Sequence, residues 1–259
     1  MKRAPLEVAL PVVLLLGFGG CGSKTTGGVS TGAAGAGGGA PAGTAGMAGA
    51  AGAGGGAGGQ AAQFTVAVQL ASDVNPNAPG TIGIVTWSVT VAPLASARIE
   101  FGLDQSYGMT APVDLPALSA AGYRTLLLGM KPSRTYHFRI VASDGTATFT
   151  SGDYTVATGP PTSMVDVSSF NVIDAAARQR GFVIASHRTN STVAFILDAD
   201  GDVVWWFGAG PNGIARARMS EDGKNMWLAI AGNTGAPLVR VRMDGLETQS
   251  YANVTAAHD

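Results

Sequence analysis

Cysteine is almost absent from this chain: one residue, Cys21, among 259. That excludes an intrachain disulfide and any zinc site built from cysteines. Charge is sparse too, at 13% of residues with a formal net charge of −1. Lysine and arginine form neither stripe nor cluster, so the electrostatic footprint of phosphate-backbone binding is missing and no nucleic-acid partner is expected. The apolar run near the start, Val8–Phe18, is broken by Pro11 and Gly17. It is shorter than the roughly 20 residues of a membrane-spanning helix. Nothing in the composition asks for a metal or a cofactor.

What is abundant is glycine, 38 residues in all. Residues 22–62 are almost wholly Gly, Ala, Thr and Ser, with Lys24 as the one charge. Such a segment buries too little to offset the entropy of ordering its backbone, so residues 21–62 are expected to be a disordered tether. A coil of that kind reaches on the order of 35 Å, from about 5–6 Å × √n. Its Gly-Gly-Gly runs lack the Gly-Lys-Ser/Thr and the preceding strand of a phosphate loop.

Before the tether, Met1-Lys2-Arg3 gives a positive start, followed by the short apolar run and by Gly19-Gly20. That layout fits a secretory signal over residues 1–20. The word Phe18-Gly-Gly-Cys21 resembles the lipobox of bacterial lipoproteins, with Phe18 where that family usually has Leu. The resemblance implies cleavage before Cys21 and a lipid on its sulfur, which would hold the protein on a membrane. Gly22 follows, with no Asp as an inner-membrane retention signal, so the outer membrane of a Gram-negative cell is the implied location. An ordinary signal peptide with an incidental cysteine is the alternative.

From Phe64 the pattern changes to short β-rich runs between turn residues. Strands are expected at Phe64–Leu70, Ile82–Thr90, Ala97–Gly102, Tyr123–Leu128, Thr135–Ala142, Ala147–Thr150 and Tyr154–Ala157. Seven short strands in under a hundred residues argue for a β-sandwich over 63–158. Ile82, Ile84 and Trp87 on one strand, and Tyr136, Phe138 and Ile140 on another, are the expected inward residues. Trp87, and the run from Leu128 through Lys131-Pro132 and Tyr136 to Ala142, resemble the fibronectin type III module. The resemblance implies a tyrosine corner, with the Tyr136 hydroxyl bonded to nearby backbone. His137, Arg98, Arg134 and Arg139 are expected on the surface, and the module is assigned a spacing or docking role. Gly159-Pro160-Pro161 then opens a connector over 159–180.

The last part of the chain is organised by a repeated pair: Asp200-Gly201, Asp222-Gly223 and Asp244-Gly245, each 22 residues after the last. Apolar runs flank the pairs: Val193–Leu197 and Val203–Phe207, Ile214–Met219 and Met226–Ile230, Leu238–Met243 and a fading Leu246–Tyr251. Asp-Gly between β-rich runs signals a hairpin, and a type I′ turn needs positive φ at both central residues. Two such hairpins make a four-stranded unit of about 44 residues, within the range of a propeller blade. The expected fold class is therefore all-β: a fibronectin type III-like sandwich, then an incomplete propeller of about two blades over 181–259. The sequence ends at His258-Asp259, before such a ring could close.

Other apparent motifs dissolve. Gly208-Ala-Gly-Pro-Asn-Gly213 has dinucleotide-loop spacing, but Pro211 interrupts it and no crossover helix follows. Asp198, Asp200 and Asp202 have the spacing of a calcium loop, but glycine stands fourth and no Glu stands twelfth. A hairpin with flanking acids accounts for them. Of Trp205 and Trp206, one ring is expected between blades and the other partly exposed. His187 is read as a loop residue.

The words Ala194-Phe-Ile-Leu-Asp-Ala-Asp-Gly-Asp-Val-Val-Trp-Trp206, Ser220-Glu-Asp-Gly-Lys-Asn-Met-Trp-Leu228 and Val241-Arg-Met-Asp-Gly245 resemble the arylsulfotransferase family. That resemblance implies transfer of a sulfuryl group from an aryl sulfate to a phenol acceptor, through a histidine that takes the group and surrenders it. It places His258 among the histidines that touch the sulfuryl oxygens or trade the phenolic proton, with Asp259 orienting it. The covalent nucleophile of that family lies in a later blade, beyond these residues. With about two blades, this length alone is expected to be inactive. A terminal histidine without a role is the alternative for His258. For the whole protein, the alternative is a non-catalytic cell-surface propeller lipoprotein that binds a partner or glycan.

Overall fold

Strict alternation builds the first strand. Along β1 (Phe64–Leu70) every second side chain is exposed and the others are half-buried. β1 pairs antiparallel with β2 (Gly83–Val89), which pairs in turn with β5 (Tyr123–Leu127). A second antiparallel sheet joins β4 (Met109–Pro112), β3 (Ser96–Gly102) and β6 (Thr135–Ser143). Both β7 (Thr148–Thr150) and β8 (Tyr154–Ala157) pair with β6 along different stretches. The computed structural model describes residues 62–166, 181–187, 192–210, 213–231 and 237–252, and over these the protein is all-β with several antiparallel sheets.

The two sheets close over one core. Val85, Trp87 and Leu127 come from the first, and Ile99, Phe101, Tyr136, Phe138 and Ile140 from the second. Trp87 donates its indole N–H to Thr125 Oγ1 at 3.3 Å, and its ring centroid lies 4.7 Å from that of Tyr123. Buried Trp keeps its polar handle paired, as it must in an apolar interior. The Tyr136 hydroxyl accepts the Lys131 backbone N–H at 2.8 Å, fixing the corner that precedes β6.

Two expectations for this region need correction. Ile82 and Ile84 do not share the core of Trp87; they lie in a different cluster, with residues of the C-terminal sheets. Side chains of even and odd parity on a strand face opposite ways, and β2 is buried on both faces, so its apolar residues serve two cores. β4 was also not expected. It is four residues long and ends at Pro112, too short to alternate visibly.

The C-terminal part makes two further sheets. β9 (Val183–His187), β10 (Val193–Leu197) and β11 (Val203–Gly208) form an antiparallel sheet in the order β11-β10-β9. β12 (Ile214–Met219), β13 (Asn225–Ile230), β14 (Leu238–Arg242) and β15 (Thr248–Tyr251) form a four-stranded meander. β12 lies mainly against β9, so the first strand of one sheet meets the first strand of the other. Each Asp-Gly pair turns a hairpin as expected, but the turn differs. Gly201, Gly223 and Gly245 take φ of 89°, 66° and 72°, while the aspartates before them do not take positive φ. Gly201 N–H donates to Asp198 O, Gly223 N–H to Ser220 O and Gly245 N–H to Arg242 O. The loops are therefore longer than a two-residue type I′ connection, with a single left-handed residue after an ordinary turn.

β11 is the edge strand of its sheet, yet Val203, Val204, Trp205 and Trp206 are all buried. Trp205 sits in the cluster shared with Ile82 and Ile84; Trp206 packs with Val193 and Val203 on the other face. Neither indole is partly exposed, because both faces of β11 are covered. The strand is antiparallel to β10, which also removes the parallel β-α-β frame that a dinucleotide loop at 208–213 requires. Among the described residues no helix is long and apolar enough to cross a membrane.

Candidate functional site

The strand directions sort the C-terminal sheets into two ends. At one end lie the three Asp-Gly corners. At the other, His187, Val193 and Gly208 come together in register across β9, β10 and β11. In the neighbouring sheet Ile214 pairs with Ile230, and Leu238 with Tyr251, at that same end. β15 therefore finishes at the end away from the corners, with Tyr251 opposite Leu238. Cys21, His258 and Asp259 lie outside the described residues. His187 closes β9 and pairs with Val193, so it is a strand residue and not a loop residue.

The corner end is occupied, and by the N-terminal module. Lys131, on the corner that precedes β6, places Nζ 3.1 Å from Asp198 Oδ2, 2.7 Å from Asp200 Oδ2 and 2.7 Å from Asp202 Oδ2. An ammonium stands where a calcium loop would hold its ion. The other Asp198 oxygen accepts the Asp200 and Asp202 backbone N–H groups, each at 2.9 Å. Burial alone would lower the Lys131 pKa, but its hydrogen bonds to the three carboxylates outweigh that and hold it well above the ordinary lysine range. The backbone that carries Lys131 is itself tied, by the Tyr136 hydroxyl at its N–H and by Thr158 Oγ1, which donates to its carbonyl at 2.7 Å.

At the second corner, Lys224 Nζ reaches Asp114 of the module at 2.5 Å. The third corner is the most buried. Asp244 is 0% exposed and accepts from Arg124 Nη2 at 2.5 Å, from Arg242 Nε at 2.8 Å and from the Leu246 N–H at 3.0 Å. Burial pushes the Asp244 carboxyl up; the hydrogen bonds from Arg242, Leu246 and Arg124 prevail and hold it below the ordinary aspartate range. Beside it, a Cβ on Gly245 would stand 2.9 Å from Pro79 Cδ. Between these points, Thr81 Oγ1 donates to the Val204 carbonyl at 2.8 Å in a buried position, and the Trp205 indole donates to Met243 O at 2.9 Å. Buried backbone on the β11 edge is thus satisfied by a side chain of the other region.

A second polar cluster lies on the outer face of the β4-β3-β6 sheet. His137 Nδ1 is 2.7 Å from Asp153 Oδ2, and Asp153 also accepts from Gln105 Nε2 and from the Tyr107 hydroxyl, both at 3.1 Å. Arg139 lies over the Tyr107 ring, 4.5 Å from its centroid, and pairs with Glu100, which Arg98 also holds. The two arginines keep the Glu100 carboxyl below its ordinary range. His137 does face outward as expected, but it is half-covered and partnered.

The corners make charge-assisted contacts between the two regions. Lys131, Arg124, Asp114 and Thr81 were not singled out from the sequence, because each partner lies tens of residues away along the chain. The one signal in the sequence is the run of acids at the first corner and the lysine that closes the second. Among the described residues, no group of three or more His, Cys, Asp and Glu is arranged to hold a metal ion. No protein-family model matches the chain, and no curated protein matches it in sequence.

Proposed function

We propose that β1–β8 form a fibronectin type III-like sandwich, that β9–β11 and β12–β15 are the opening blades of an arylsulfotransferase-type propeller, and that the protein takes part in sulfuryl transfer from an aryl sulfate to a phenol. The observation that carries the reading is the repeat itself. Three Asp-Gly corners 22 residues apart join strands of two sheets whose first strands, β9 and β12, lie together, as radial stacking about an axis requires. His258 would contact the sulfuryl oxygens or exchange the phenolic proton, and Asp259 would fix its tautomer. A histidine of the completed ring would carry the group between donor and acceptor. The lipid on Cys21 and the tether over 22–62 would hold the folded part at the outer membrane.

The test is release of nitrophenol from 4-nitrophenyl sulfate in the presence of a phenol acceptor. It uses the protein together with any sequence that follows Asp259, beside its His258→Ala variant. Acceptor-dependent release that falls at least about a hundredfold in the variant is expected, the scale of losing a general acid–base group. No transfer by the parent protein would end this reading and leave that of a surface protein that binds a partner or glycan. For the anchor, incorporation of labelled palmitate that vanishes in Cys21→Ser is the expected result, and unchanged membrane association of that variant would refute it.

A further inference from the structure

The N-terminal module does more than space or dock. Its β1-β2-β5 sheet turns one face to its own core and the other, through Ile84 and with Ala71, Ala78 and Ile82 of the segment between β1 and β2, to the core of the C-terminal sheets. Those four residues share a cluster with Ile196, Trp205, Ile214, Leu228, Val241 and Met243, which come from β10 through β14 and the third corner. An apolar core common to both regions is the interior of a domain, not the loose contact of two beads on a string, for which interfaces are more polar and relative motion is the default. Around that core the module reaches all three Asp-Gly corners with a different charged side chain: Lys131 at the first, Asp114 at the second, Arg124 at the third. Three corners at a 22-residue step are each tied to the module by an ion pair: acids of the first and third to cations of the module, and Lys224 of the second to Asp114.

We propose that the module is a fixed brace for the corner end of the C-terminal sheets, through which the two regions fold and open as one unit. Its apolar contact supplies the adhesion. The charged contacts at the corners supply the register, because an edge strand as buried as β11 is otherwise free to pair or slip. The brace also closes the corner end to ligands. A ligand reaches these sheets from the end where His187, Val193 and Gly208 meet, whatever chemistry is done there. The proposal does not depend on the sulfuryl reading and survives its failure.

Two measurements on the whole chain test it. In the first, a protease recognition sequence is inserted between Ser163 and Met164, in the connector after the module, and the purified protein is cut. The halves are expected to co-elute at the size of the uncut protein in physiological salt and to part only in denaturant. Separation without denaturant, or a C-terminal half that falls out of solution while the module stays, would overturn the proposal. In the second, amide hydrogen exchange is followed by segment in the parent and in Lys131→Met/Arg124→Met. The strongly protected amides of β6, β10 and β13 are expected to exchange at one common rate in the parent, as members of a single cooperative unit do. In the variant β10 and β13 should exchange at least about tenfold faster than β6, whose own core is untouched. Distinct rates in the parent, or equal acceleration of β6 and β13 in the variant, would refute a brace that acts through the corners.

Discussion

Replacing Asp244 with Asn tests the third corner with almost no change in volume. The carboxylate is fully buried and receives hydrogen bonds from two guanidiniums and one backbone N–H. Removing one partner from a buried ion pair costs about 3–5 kcal/mol when the charge left behind is also buried. Here the remaining charges are not: the Arg124 and Arg242 side chains are each 39% exposed, so water takes up part of what the carboxylate gave them. The single change should therefore cost about 2–3 kcal/mol. Arg124→Met should cost less, about 1–2 kcal/mol, because Arg242 and the Leu246 N–H still hold the anion. The informative quantity is the coupling between them. Arg124 comes from β5 and Asp244 from the corner between β14 and β15, so a coupling measures the junction and not a local turn. Urea unfolding of the parent, both single variants and the double variant, followed by tryptophan fluorescence, should give an interaction term of about 1–2 kcal/mol at equal slopes. A term below about 0.5 kcal/mol, the usual scatter for independent sites, would refute the assignment of this contact as a clamp.

The same residue sets an acid limit. The folded pKa of Asp244 is depressed, so its stabilisation is fully present above the unfolded value of about 3.9 and is lost as pH falls through the folded value. Urea midpoints measured from pH 6 down to pH 3 should fall, and less steeply in Asp244→Asn. Lys131 works from the other side: its raised pKa keeps its contribution intact up to at least about pH 10, so midpoints between pH 6 and pH 9 should not move on its account. Tyr136→Phe leaves the Lys131 N–H without its 2.8 Å acceptor and should cost about 1–2 kcal/mol in the same assay. Gly223→Ala and Gly245→Ala both place a side chain at positive φ, worth about 1–2 kcal/mol each, but a Cβ at 223 meets open space while one at 245 meets Pro79 at 2.9 Å. Thermal melts should rank Gly245→Ala clearly below Gly223→Ala; equal losses would mean that the third corner does not touch the module in solution.

How far the sequence carried follows from the range over which each signal acts. Strand positions are local, and β1, β6, β8, β10 and β12 fall where alternation and turn residues put them. The Asp-Gly corners are local too, but the kind of turn is not legible from the pair alone. The pair suggests both central residues of a two-residue turn, whereas hydrogen bonds from Asp198 N–H to Asp202 O and from Ser220 N–H to Asn225 O close longer loops around one left-handed glycine. What alternation conceals is which core a residue joins. Ile84 and Trp87 are both buried, and only their opposite parity on β2 shows that they serve different cores. A strand apolar on both faces is a statement that something covers each face, and in an antiparallel sheet that has one core of its own the second cover must come from elsewhere. For β2 it came from the last third of the chain. A related point holds for the acids at 198, 200 and 202: three carboxylates in five residues repel one another, and a cation brought among them relieves that repulsion. The spacing of these acids excludes a calcium loop, and the cation among them comes from the protein itself. That cation sits beside the tyrosine corner, 67 residues earlier in the chain than Asp198, on a backbone held by Tyr136 and Thr158. A rigid corner is the place from which one lysine can meet three acids at once, because its backbone entropy is already spent on the module's own fold. The module and the sheets are thus joined through backbone that the module's own hydrogen bonds already hold in place.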